Sequence, residues 1–99
     1  MTQVLLAHDL GTSGNKATLF TTDGELVKSQ VYSYNTHYFN GTWAEQNPQD
    51  WWEAICATSK AITEGLDSKQ IAVISFSGQM MGAVCVDENG NPVRDAIIW

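Results

Sequence analysis

Cysteine, proline and positive charge are all scarce in this 99-residue chain. It has two cysteines and two prolines, and five lysines and arginines stand against eleven aspartates and glutamates. Cys56 and Cys85 are far apart and lie inside apolar stretches. That points to free, buried thiols; whether the two pair is left open by sequence. The net charge of −6 argues against a nucleic-acid or anionic-membrane surface, because both need basic patches. It does not exclude a phosphate ligand held by backbone dipoles and a metal. No apolar run approaches the roughly 20 residues of a membrane helix. The first residues lack a basic segment followed by a long apolar core, so no signal peptide is read and a cytoplasmic location is expected. A hydrophobic content of 43% suits one small globular domain. The last residues, Ala96-Ile97-Ile98-Trp99, read as the middle of a strand. An unpaired apolar edge is an aggregation liability, so the chain is expected to be the N-terminal piece of something longer.

What is present is organised around Asp9-Leu10-Gly11-Thr12-Ser13-Gly14-Asn15-Lys16. An apolar run precedes it (Val4 to Ala7) and another follows it (Ala17 to Phe20), which reads as strand, tight turn, strand. Gly11 and Gly14 are expected to allow close approach of a ligand and to reach positive φ. Successive N–H groups in such a turn form an anion-binding nest, to which Thr12 and Ser13 add hydroxyls and Lys16 a cation. Asp9 would repel a bare phosphate. It fits when Mg2+ lies between carboxylate and phosphate, since that ion is held by one or two carboxylates plus phosphate oxygens. The same residues also fit a plain hairpin with a Gly-Ser-Thr turn. They are not a Walker A loop, which would open a helix after the lysine.

Read in order, residues 3–9, 16–22 and 25–34 form a three-stranded antiparallel meander, with Asp23-Gly24 as its second turn. His8 and Asp9 face opposite sides of their strand, so His8 is taken as structural. Residues 35–46 read as an aromatic-rich loop. Asn47 caps a helix, Pro48 suits its first position and Asp50 complements its dipole. Trp52, Ile55, Cys56, Ser59, Ile62 and Leu66 recur at helical spacing as its packing stripe, Trp51-Trp52 are taken as core, and Gly65 stops the helix. Residues 71–76 form a further apolar strand, parallel to an earlier one through the helical crossover. It runs into a second glycine-bracketed turn, Ser77-Gly78-Gln79-Met80-Met81-Gly82. Ligands of open α/β sheets gather beyond the carboxyl ends of strands, so the two turns are expected to converge on one cleft. Residues 83–87 and 93–99 are further strand pieces around the turn Asn89-Gly90-Asn91-Pro92.

Four segments in this order resemble the start of an FGGY-family carbohydrate kinase, xylulokinase-like branch. They are Asp9-Leu10-Gly11-Thr12-Ser13-Gly14, Ala44-Glu45-Gln46-Asn47-Pro48 with Trp51-Trp52, Ser77-Gly78-Gln79-Met80-Met81-Gly82, and Ile97-Ile98-Trp99. The resemblance implies an α/β fold of the ribonuclease-H-like, actin-like ATPase type, here residues 1–99 of its first domain, with a mixed sheet containing the meander plus a helix. It implies ATP-dependent phosphorylation of a xylulose-like ketose or a related sugar or polyol, with Mg2+. Carried over, Asp9 is similar to the acidic residue near metal and phosphates. Gly11, Thr12, Ser13 and Gly14, with Asn15 and Lys16 adjoining, resemble the loop under the phosphates. Gln79, Met80 and Met81 resemble the turn that touches the sugar. Xylulokinases usually carry Gly-Gln-Met-His-Gly there; Met81 replaces the histidine and cannot donate its hydrogen bond, which leaves the substrate open. The family's catalytic aspartate and adenosine pocket belong to later segments, so this chain alone is expected to be inactive. A small-molecule sugar is the implied partner, and a homodimer of the full-length enzyme is kept open. The competing reading is a non-catalytic actin-like nucleotide-binding or scaffold module.

Overall fold

A computed structural model describes residues 2–99, so the first residue of the expected 1–99 domain lies outside the described residues. Strands β1 (Val4–Leu10), β2 (Gly14–Thr21) and β3 (Leu26–Ser33) form the antiparallel meander. Helix α1 (Pro48–Ile62) follows a small hairpin, β4 (His37–Phe39) and β5 (Trp43–Gln46). Strand β6 (Ile71–Gly78) then lies parallel to β1, giving a four-stranded sheet of order β3-β2-β1-β6. A two-residue strand β7 (Ala96–Ile97) joins β4 and β5 in a second sheet of order β4-β5-β7.

The core lies between the large sheet and α1. Val4, Leu6, Ala17, Leu19 and Ile62 are buried together, with Leu66 and Ile71 packed against them. Alternation along β1 and β2 explains the choice: Val4, Leu6 and His8 point to the helix side with Ala17 and Leu19, whereas Asp9 and Lys16 fall on the opposite face. The helix begins as its sequence dictates. The Asn47 side chain accepts the Gln49 N–H at 3.0 Å, Pro48 opens the first turn and Asp50 lies within it.

Several expectations need correction. The buried residues of α1 are Ala54, Thr58 and Ile62. Of the expected stripe Ile62 is buried and Leu66 packs on the core, but Cys56 is exposed. Ala54 and Thr58 face inward instead, because small residues let the helix sit close to β2 and β3. Trp52 is 59% exposed and not core. Both cysteines are free but exposed. Residues 35–46 are not a plain loop: Asn40 (φ 48°) and Gly41 (φ 76°) turn the β4–β5 hairpin. Ring contacts of Phe39 with His37 and Trp43 stabilise it. Residues 83–87 form no continuous strand; isolated pairings join Ala83 to Ile97 and Val86 to Pro92.

Candidate active site

Thr12 and Ser13 form the two-residue tip between β1 and β2, closed by the Gly11 N–H donating to the Gly14 carbonyl at 2.9 Å. Among the described residues the Thr12 and Ser13 amides donate to no other group. Neither Gly11 nor Gly14 adopts positive φ, contrary to expectation. Gly14 is required for another reason: a Cβ there would lie 2.7 Å from the Tyr32 carbonyl oxygen on β3. The turn is braced from behind by the buried Tyr34. Its hydroxyl donates to the Gly11 carbonyl and lies 3.1 Å from that of Gly14, and its N–H donates to the Ser13 carbonyl. Burial, then the charge of Asp9, pushes the Tyr34 phenol above its ordinary range, so it stays a donor.

Asp9 stands directly across from Lys16 on β2 and from Ser77 on β6. Its exposed carboxylate accepts one hydrogen bond, from the Ser77 hydroxyl at 3.2 Å. Lys16 is exposed and, among the described residues, makes no ion pair; the ion pair formed there is Arg94 with Glu45. Residues 11–16 line a shallow cleft of about 320 Å³ with Val31 and Ser33. No group of three or more His, Cys, Asp or Glu gathers among the described residues. A lone carboxylate fits a cation whose other ligands are water and phosphate, as with Mg2+.

Asn15 reaches the turn only by its backbone. Its side chain is fully buried; the amide nitrogen donates to Thr58 Oγ1 at 3.0 Å and to His8 Nδ1 at 2.9 Å. Nδ1 is therefore an acceptor and the His8 proton sits on Nε2, facing Ser59 Oγ at 3.0 Å. Burial lowers the His8 pKa, in keeping with a neutral, structural ring stacked on Phe76.

The second turn begins where β6 ends. The Gln79 N–H donates to the Leu10 carbonyl at 2.7 Å, which seats this turn beside the start of the first. Gln79 and Met81 line a cavity of about 240 Å³ with Leu10, Trp51, Val84 and Ile98. Met80 does not line it and is 83% exposed. Met81 is held at φ 69°, a left-handed conformation that side chains disfavour.

Sequence reasoning missed Tyr34, Gln46 and the cavity role of Trp51. Gln46 is buried and fully bonded, to Thr12, Thr36, Trp51 and Gln79. Apart from the Ala44–Pro48 motif, no periodicity flags it, because a polar residue just before a helix cap looks like ordinary loop.

Residues 4–99 match the FGGY family of carbohydrate kinases, N-terminal domain. The chain belongs to this family. It is 40% identical over 95 residues to a xylulose kinase of Staphylococcus xylosus, covering 96% of this chain and 20% of that one. It is 35% identical over 99 residues to a gluconokinase of Bacillus subtilis, covering 100% and 19%. Among solved structures it resembles a gluconate kinase from Lactobacillus acidophilus, with TM-score 0.90, 25% identity and coverage of 98% and 20%. A ligand-bound xylulose kinase from the same organism gives TM-score 0.88, 25% identity and coverage of 96% and 19%. The chain thus spans about a fifth of the length of the FGGY relatives it matches. Its α/β fold is that of their N-terminal, actin-like ATPase domain.

Proposed function

We propose that the chain is the phosphate- and sugar-facing part of an ATP- and Mg2+-dependent carbohydrate kinase, acting on xylulose or a related ketose, sugar acid or polyol. The observation that carries this reading is the hydrogen bond from Gln79 N–H to the Leu10 carbonyl. It joins the turn expected to touch sugar to the turn expected to touch phosphate, at the ends of adjacent parallel strands. Phosphoryl transfer depends on positioning and on neutralising charge. The Thr12 and Ser13 amides offer donors to phosphate oxygens, and Lys16 offers an unpaired ammonium. Asp9 is the residue that would hold Mg2+, which when bound neutralises phosphate charge. Gln79 and Met81 border the space for the acceptor hydroxyls. With a methionine at position 81, the cavity wall is apolar where a ring N–H donor would otherwise stand, so the preferred sugar need not be xylulose.

Among the described residues no carboxylate lines this cavity, so on this reading the base for the sugar hydroxyl comes from outside them. The isolated chain is accordingly inactive. The test is an ADP-release assay with Mg-ATP and a panel containing D-xylulose, D-gluconate and glycerol. The full-length protein turns over at least one of them, whereas the 99-residue chain turns over none. A full-length protein with neither turnover nor a Mg-ATP-dependent rise in Tm would sink the kinase reading, and turnover by the short chain would refute the placement of the base.

A further inference from the structure

We infer that Gln46 is a positioning residue that aims both turns of the site through one amide group. The inference rests on the kinase reading and extends it to a residue that touches neither ligand. All four of its hydrogen-bonding positions are used. Its Nε2 donates to the Thr12 carbonyl at 2.7 Å and to Thr36 Oγ1 at 2.8 Å. Its Oε1 accepts from Trp51 Nε1 at 2.8 Å and from Gln79 Nε2 at 2.8 Å. The amide cannot be reversed. A backbone carbonyl only accepts and an indole N–H only donates, so turning the group over would oppose acceptor to acceptor and donor to donor.

Each bond has a consequence one step further out. The carbonyl of Thr12 and the N–H of Ser13 belong to one trans peptide and point in opposite directions. Holding the carbonyl inward therefore keeps the Ser13 N–H directed away from the buried interior, free to meet an anion. On the other side, taking one Gln79 N–H fixes the polarity of that side chain. Its Oε1, which bonds to nothing among the described residues, is left to accept from a sugar hydroxyl. Trp51, a wall of the sugar cavity, is pinned by the same oxygen. One buried side chain thus sets a phosphate donor, a sugar acceptor and a wall of the sugar cavity.

The two halves of the amide can be separated by mutation in the full-length protein. Gln46→Glu keeps an oxygen for Trp51 and Gln79 but sets a second oxygen against the Thr12 carbonyl. It weakens Mg-AMP-PNP binding about tenfold, the loss of one good hydrogen bond, while affinity for the sugar that supports turnover changes by less than about threefold. Gln46→Leu weakens both. Equal losses in both ligands for Gln46→Glu, or none, with only Tm lowered, would reduce Gln46 to a structural residue. Amide hydrogen exchange supplies a readout independent of activity. Gln46→Leu speeds exchange in residues 11–16 and 78–82 together. Acceleration of one turn alone, or of neither, overturns the linkage. A failure of the kinase reading itself would show differently, as wild-type protein that binds no Mg-AMP-PNP.

Discussion

An exposed carboxylate held by a single serine hydroxyl contributes little to stability, so Asp9 is a residue whose removal should separate folding from function. In the full-length protein Asp9→Asn lowers kcat by about 100-fold or more, the scale seen when one group stabilising transition-state charge is lost, with Tm nearly unchanged. Unaltered turnover would remove Asp9 from the site. Gly14 predicts a loss of stability. Gly14→Ala places a methyl against the Tyr32 carbonyl, so β3 must shift, at a cost of about 2 kcal/mol in urea denaturation. His8 adds a pH dependence. Burial lowers its folded-state pKa below 6.5, so just below that value the unfolded chain binds more protons than the folded one, and stability falls as the pH drops. The urea midpoint should decline between pH 7 and pH 5, with a shallower slope in His8→Gln; equal slopes would exclude His8 as the cause. The bend carrying Asp9, Gly11 and Gly14 was legible in the sequence as a glycine-bracketed turn between two strands, but the reason for Gly14, its close approach to the Tyr32 carbonyl, was not. Tyr34 and Gln46 were not, since the bonds that tie them to the two turns span 20 to 34 residues of sequence.

At the scale of elements, the parts with local causes were legible. Asp23-Gly24 turns β2 into β3 with Gly24 at φ 88°, and Asn47-Pro48 starts α1 where capping chemistry places it. Asn47→Ala should destabilise the fold by about 1 kcal/mol while Asn47→Asp leaves it close to wild type, as read by thermal or urea unfolding; equal losses for both would mean that the cap bond is not what matters. Elements settled by distant partners were misread. The Asn40-Gly41 signal for a hairpin was present, but the aromatic run around it has no alternation to advertise strands. β4 and β5 are held by ring packing and by β7, which lies 50 residues later. The stretch 83–87 failed as a strand for the complementary reason. Its neighbours offer single pairings and no ladder, and β-propensity without a partner makes no sheet. The helix stripe was right at Ile62 and Leu66 but misplaced in the first turns, because large apolar residues were favoured where close packing on β2 selected Ala54 and Thr58.

At the scale of the whole molecule, the chain is extended for its size. Its radius of gyration is 15.5 Å, with extents of 51 × 30 × 20 Å, against about 13 Å for a compact domain of 100 residues. The cause is visible in the layers. Helix α1 covers β2 and β3, while β6 is largely uncovered beyond Ile71, with Val73, Ile74 and Phe76 each more than half exposed. Among the described residues its outer edge has no partner strand, and a long apolar edge recruits other chains. In a protein of the relatives' length, further chain would cover this edge and these faces. The isolated 99 residues should therefore self-associate in sedimentation velocity and bind a hydrophobic dye, both more strongly than the full-length protein. Val73→Lys should reduce the association without loss of circular-dichroism strand signal, because a lysine on an edge strand opposes pairing. A short chain that is monodisperse, dye-negative and cooperative in unfolding would show that β6 needs no cover and would overturn this prediction.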